Sequence, residues 1–302
     1  MDPTFSFGKF EVTPFTYKHL VLKSKRTGGA PTFLGPTAVQ YSKEKSVYKK
    51  IVSAVGNSAP ALAEKGKGFI TDGEDALHSA VGEVLTHATG LRCFRPFQQN
   101  CQEKLRKIGI QQKQNQKVFL DTVFGKQGVC QGILWANTKD ELHEILTASR
   151  ERLKREETRI TGRKVPLFWK YVASHKKMME KCMIGNARKK AGVPCDQFGT
   201  PLRSYTNQSE SVNNKLTRQK EAIVKNDKRK IDLSKLQFTK DVREEVDKHQ
   251  QDELHMAICG LSAEYELSDV VAHLAVPPDE WFEMSTVQRA EYVQKFNEMT
   301  VE

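Results

Sequence analysis

Three acidic residues, Asp2, Asp72 and Glu210, lie 70 and 138 residues apart along the chain. Carboxylates so dispersed do chemistry only if the fold gathers them. Gathered, they suit phosphoryl transfer on nucleic acid, which uses two divalent cations about 3.5–4 Å apart, one at the attacking oxygen and one at the leaving oxygen. Mg2+ takes oxygen ligands and keeps several waters, so a few carboxylates suffice, and Mn2+ accepts the same donors. Each acid also has a plain structural reading. Asp72, followed by Gly73, fits a turn or a helix N-cap. Asn207-x-x-Glu210 has capping-box spacing, which would turn the glutamate onto backbone N–H groups. Asp2, beside the terminus and before Pro3, fits a solvated acid.

The elements that must position these acids can be read around them. Phe5 to Thr13 and Tyr17 to Leu22 are aromatic and β-branched runs, which predict two strands with a break at Pro14. After a turn at Gly28-Gly29 and Pro31, Phe33 to Tyr41 predicts a third strand. Ser42 then caps a helix whose stripe is Val47, Ile51, Val52 and Val55, ending at Gly56-Asn57. A strand at Phe69-Ile70-Thr71, a helix from about Glu74 on Leu77, Val81, Val84 and Leu85, and a strand over Gly90 to Phe94 follow. The pattern is β-β-β-α-β-α-β, with Asp2 opening the first strand and Asp72 ending the fourth.

From Phe97 to about Thr200 the pattern is helical and basic. Thr138 to Glu141 forms a capping box in front of Leu142, Ile145, Leu146 and Leu153. Pro166 and the stretch from Gly192 to Gly199 punctuate it. A helix from Asn207 to about Val224 begins near Glu210, and Lys225 to Lys240 reads as a charged connector. Residues 241–299 predict two or three helices divided at Pro277-Pro278. The fold class is therefore α/β. Its predicted parts are a core over 1–110, a basic helical insertion over 111–200, a closing helix over 201–230 and a helical C-terminal region over 231–302.

Asp2-Pro3-Thr4-Phe5 followed by Lys9-Phe10-x-Val12-Thr13-Pro14, Thr71-Asp72-Gly73-Glu74 with Ala76-Leu77, and Ser209-Glu210-Ser211 with Asn213 together resemble the transposases of Mutator-like elements. The resemblance spans nearly the whole chain. It implies an RNase H-like mixed sheet flanked by helices, interrupted by a helical insertion and followed by a helical region. In such a sheet the first strand is central and the fourth lies beside it, so Asp2 and Asp72 become neighbours and a packed helix brings Glu210. The resemblance implies that these three acids are the catalytic and metal-ligating D-D-E set for two Mg2+ or Mn2+ ions. The implied reaction is DNA strand cleavage at transposon ends, then attack of the freed 3′-hydroxyl on target DNA. DNA is the implied partner and the nucleus the implied location; a homo-oligomer stays open.

Two departures predict impaired activity. After the second aspartate the family carries Cys-x-x-His with an asparagine four residues on, whereas this segment reads Cys93-Phe94-Arg95-Pro96 with Asn100. Proline removes the ring donor and fixes φ. The chain also begins one residue before Asp2, and neither the family's N-terminal DNA-binding module nor its Cys/His finger is recognised, so a truncated copy is expected. The alternative is a non-catalytic DNA- or protein-binding descendant that uses the basic insertion and the C-terminal helices.

The 302 residues hold 48 lysines and arginines against 37 acids, a net charge of +11 that points to an anionic partner. Acids interleave with the cluster from Arg150 to Lys164, as on a solvated face with i,i+4 pairs. Lys23 to Arg26 and Lys225 to Lys230 are further clusters, the last a modest basic run that makes no compelling localisation signal. No acid lies within Asn186 to Gly192, so Arg188, Lys189 and Lys190 are the candidate DNA-phosphate contacts. Trp135, Trp169 and Trp281 read as packing residues, and histidines such as His255 and His273 are too dispersed for a metal site. The six cysteines form no C-x-x-C pair, which predicts free thiols in a reducing compartment. No apolar run reaches bilayer length, and the start, Met1-Asp2-Pro3-Thr4-Phe5, has no apolar leader, so no membrane partner is expected.

Overall fold

The computed structural model of the chain describes residues 5–7, 10–64, 67–125, 132–193, 195, 216–218, 221 and 236–298. Its first half runs β1 (Phe5–Phe7), β2 (Phe10–Lys18), β3 (Leu22–Ser24), β4 (Thr32–Gln40), α1 (Lys45–Ser58), β5 (Gly68–Thr71), α2 (Asp75–Val84), β6 (Thr89–Arg92) and α3 (Phe94–Lys107). There follow α4 (Lys113–Phe124), α5 (Lys139–Thr161), α6 (Leu167–Ser174), α7 (Lys176–Cys182), α8 (Gly185–Lys190), α9 (Leu236–Ile258), β7 (Tyr265–Leu267), α10 (Pro278–Glu283) and α11 (Thr286–Glu298). The protein is mixed α/β and mainly helical, with three small sheets among the described residues. Residues Met1–Tyr41 and Asn207–Glu302 form one compact unit and Ser42–Thr206 the other. This grouping cuts across the predicted four-part division, because the N-terminal strands belong with the C-terminal helices.

In the first unit β1, β2 and β4 form an antiparallel sheet in the order β1-β2-β4. The predicted break at Pro14 is absent, and β2 runs straight through it. The reason is local. Among the described residues the ladder with β1 reaches Phe5↔Val12, and Pro14 pairs with Thr37 on the β4 side. Register then shifts between Pro14 and Thr16, leaving Gly35 and Pro36 opposite the single Phe15. Proline is tolerated at such bulges. A Cβ on Gly35 would sit 3.1 Å from the Phe15 carbonyl oxygen, so glycine suits the bulge. The predicted second strand, Tyr17 to Leu22, is divided between the end of β2 and β3, and β3 pairs with β7. Helix α9 starts at Leu236, inside the stretch predicted as a connector. Leu22, Phe33, Leu254, Ile258, Trp281 and Phe296 make the core of this unit, with Trp281 1% exposed.

In the second unit β5 and β6 are parallel, from Gly68↔Thr89 to Thr71↔Arg92, with α2 as the crossover. The predicted fifth strand stops at Arg92 because α3 already begins at Phe94. Phe94, Cys101, Leu105, Phe119, Leu142 and Phe168 build a helical core behind this pair. The capping box of α5 is formed: Thr138 Oγ1 accepts the Glu141 N–H at 3.1 Å, and Glu141 Oε2 accepts the Asn137 N–H at 2.7 Å. Gly162, at φ 72, ends the same helix in the left-handed region. Glu157 is fully buried, and its two oxygens accept the Leu167 and Phe168 N–H groups, each at 3.0 Å. A carboxylate thus satisfies the start of α6, where helical partners are lacking.

Candidate functional site

Asp72 leaves the carboxyl end of β5 just after the fully buried Thr71. It is half-buried, and its Oδ1 accepts the Glu74 N–H at 3.0 Å, a turn that launches α2. Glu74 is held in turn by the Tyr48 hydroxyl, which donates to Oε1 at 3.0 Å. Arg92, at the matching end of β6, donates from Nη1 to the Asp72 carbonyl oxygen at 3.2 Å and pairs through Nη2 with the Asp75 carboxylate. Pro96 stands against the same turn, its Cβ 3.6 Å from where a Cβ on Gly73 would lie. Position 96 therefore lies beside Gly73, the residue after Asp72, and what it presents there is an apolar ring. In the first turn of α3 that proline is well placed, since no intrahelical N–H bond is lost there.

Behind the turn is a polar chain that the spacing of the sequence did not reveal. Thr71 Oγ1 lies 3.0 Å from His78 Nδ1, and His78 Nε2 lies 3.4 Å from Cys182 Sγ on α7. Burial, aided by the positive charges of Arg92 and Lys181, lowers the His78 pKa to about 4, so the ring is neutral near pH 7. Burial raises the Cys182 thiol, which is therefore protonated and unreactive. His78 and Cys182 are 104 residues apart, and the one sequence sign was a histidine beside Leu77 on the buried side of α2.

The other two members of the acidic trio, Asp2 and Glu210, lie outside the described residues. Among the described residues no group of three or more His, Cys, Asp or Glu is arranged to hold a metal. Asp72 itself offers hard oxygen donors of the class Mg2+ takes, with one oxygen engaged by Glu74.

The basic candidates divide. Lys189 and Lys190 are exposed, whereas Arg188 is fully buried. Its guanidinium lies 5.5 Å from the Phe94 ring centre and 5.9 Å from that of Trp135, and it donates to the Leu134 carbonyl at 3.2 Å. Arg188 thus works inside the protein and the two lysines outside it. They sit at the amino end of the β5–β6 pair, where Gly68 packs on Ala191 without room for a side chain and Thr89 donates to the Lys190 carbonyl at 3.5 Å. Asp72 is at the opposite end, one four-residue strand or about 13 Å away. In the other described clusters single residues are paired: Lys23 with Glu266 at 3.7 Å, and Arg159 with Glu156 at 2.9 Å. Lys225 to Lys230 lies outside the described residues.

Comparison with known families, curated proteins and solved structures finds no match to this chain. No described helix is long and apolar enough to cross a membrane.

Proposed function

We propose that the chain is the catalytic region of a Mutator-like DNA transposase on an RNase H-like core, acting by metal-dependent strand cleavage and transfer with impaired activity. What supports this reading is the order of elements along the chain: antiparallel β1, β2 and β4, then α1, β5, α2 and β6, with Asp72 at the carboxyl end of β5. The described residues form β1-β2-β4 and β5-β6 as separate sheets rather than the one mixed sheet expected, so the joining of the two belongs to the proposal alone. Asp2, Asp72 and Glu210 would hold Mg2+ or Mn2+, which when bound activates the attacking oxygen and neutralises charge on the phosphate. Tyr48 and Glu74 fix the turn that aims Asp72, and Arg92 steadies it from β6. Pro96 supplies neither a proton nor a lone pair at the place where the family has a histidine. Lys189 and Lys190 grip the DNA backbone away from the cut, about 13 Å off or roughly four base-pair steps along the duplex axis. DNA as substrate carries with it a nuclear location.

Incubation of the full chain with end-containing DNA and Mn2+ tests this. The reading requires slow strand cleavage that is lost in Asp72→Asn. A second reading, the non-catalytic DNA-binding descendant, is favoured by the engagement of Asp72 Oδ1 in its own turn. It requires no cleavage and a salt-dependent DNA affinity that Asp72→Asn leaves unchanged or improves, because an acid is removed.

A further inference from the structure

The unit of residues 1–41 and 207–302 contains a cleft that Asp72 does not line. It has a volume of about 430 Å3, within the range of small-ligand sites, and lies between the β2–β4 bulge and α9. One wall is made of rings. Phe33 and His19 are 4% and 8% exposed, with ring centres 4.9 Å apart, and Tyr17 meets them at 6.3 and 6.1 Å while keeping about half of its surface open. Burial lowers the His19 pKa to about 4, so this wall is uncharged near pH 7.

The opposite wall, on α9, carries directional polar groups. Gln250 is 7% exposed, and its Oε1 accepts the Leu34 N–H at 3.2 Å. That bond decides which amide atom is which, because only oxygen can accept. The Nε2 donors have no hydrogen-bond partner among the described residues. One helical turn earlier Asp247 Oδ2 meets Arg243 Nη1 at 2.9 Å, and Oδ1 has no such partner among the described residues. Burial raises the Asp247 carboxyl, as expected of an acid short of donors.

A flat ring bound here must therefore stack on an aromatic face, give hydrogen bonds to a carboxylate and accept one from an amide. Guanine does all three: its N1–H and N2–H lie side by side for Asp247, and O6 next to them accepts from Gln250. Adenine and cytosine offer Asp247 one amino group beside a ring nitrogen that can accept from Gln250, and uracil or thymine one N–H beside a carbonyl, so each gives the carboxylate a single donor where guanine gives two. We propose that this cleft binds a guanine base, stacked on Tyr17 and read by Asp247 and Gln250. The base can arrive on a free nucleotide or as an unpaired base of a nucleic-acid strand, since bases outside a duplex are read through stacking and their pairing edge. The proposal needs neither Asp72 nor a metal ion and stands apart from the transposase reading.

The test uses the full chain in EDTA, which removes any metal-dependent activity from the readout. One arm titrates GMP, AMP, CMP and UMP by calorimetry. The other titrates DNA hairpins that differ only in one bulged guanine or adenine. The expected result is a preference for guanine of about tenfold or more in one arm, and that arm identifies the source. Tyr17→Ala then weakens binding by about tenfold while Tyr17→Phe retains it, and Asp247→Asn erases the preference over adenine at an unchanged melting temperature. Equal binding of all bases in both arms, no binding in either, or a preference untouched by Tyr17→Ala and Asp247→Asn would overturn the proposal.

Discussion

Tyr48 and Glu74 are joined by a 3.0 Å hydrogen bond that ties α1 to the turn carrying Asp72. Tyr48 is wholly buried, so its hydroxyl has little access to water if that contact is lost. Glu74 passes the restraint on through its own N–H to Asp72 Oδ1. Tyr48→Phe keeps the ring and removes the donor. It should lower stability by about 1 kcal/mol. A smaller urea midpoint with an unchanged slope is the expected readout.

Glu157 predicts a larger loss. Both carboxylate oxygens are used, by Leu167 and Phe168 N–H groups, in a fully buried site. Glu157→Gln preserves shape but sets an NH2 group against a backbone N–H. The destabilisation should be about 2 kcal/mol, seen as a lower melting temperature with the helical content retained below it.

His78 gives the protein an acid-sensitive joint. Its pKa falls from 6.5 unfolded to about 4 folded. Between those values the unfolded chain binds the proton and the folded chain does not, so stability rises with pH from about 4 to 6.5 and this contribution is level above. Allowing for solvent screening, the difference should be roughly 1–2 kcal/mol between pH 4.5 and 7. Urea midpoints at those two pH values check it, and His78→Gln should flatten that part of the profile.

Lys189 and Lys190 should act on DNA affinity alone. Replacing both by Ala should reduce the slope of log affinity against log salt by about 2, with the fold unchanged. Arg188→Leu should instead destabilise the protein, because the guanidinium is buried on Phe94, Trp135 and Leu134. Fluorescence anisotropy over a salt series, with a melting curve for each variant, separates the two outcomes.

Local signals in the sequence carried much of the architecture. The capping box at Thr138 and Glu141 and the division at Pro277-Pro278 stand as read, because each depends on residues within one turn of each other. Pro14 misled because its tolerance depends on the bulge between β2 and β4, which is a property of the pairing. Arg188 misled for a similar reason: three adjacent basic residues on a short helix point in different directions, and only the core decides which is enclosed. The turn role of Asp72 was legible from Gly73 and the helix behind it. The contact of Pro96 with that turn and the links from His78 to Thr71 and Cys182 join separate elements, which no spacing rule encodes.

If Asp2, Asp72 and Glu210 share divalent cations, losing any one of them must weaken ion binding even where DNA affinity survives. Mn2+ binding to the full chain, followed by electron paramagnetic resonance, measures this for the unaltered protein and for Asp2→Asn, Asp72→Asn and Glu210→Gln. The predicted result is Mn2+ bound by the unaltered protein and an affinity loss of about tenfold or more in each variant. No Mn2+ bound by the unaltered protein, or equal affinity in all four, would contradict it.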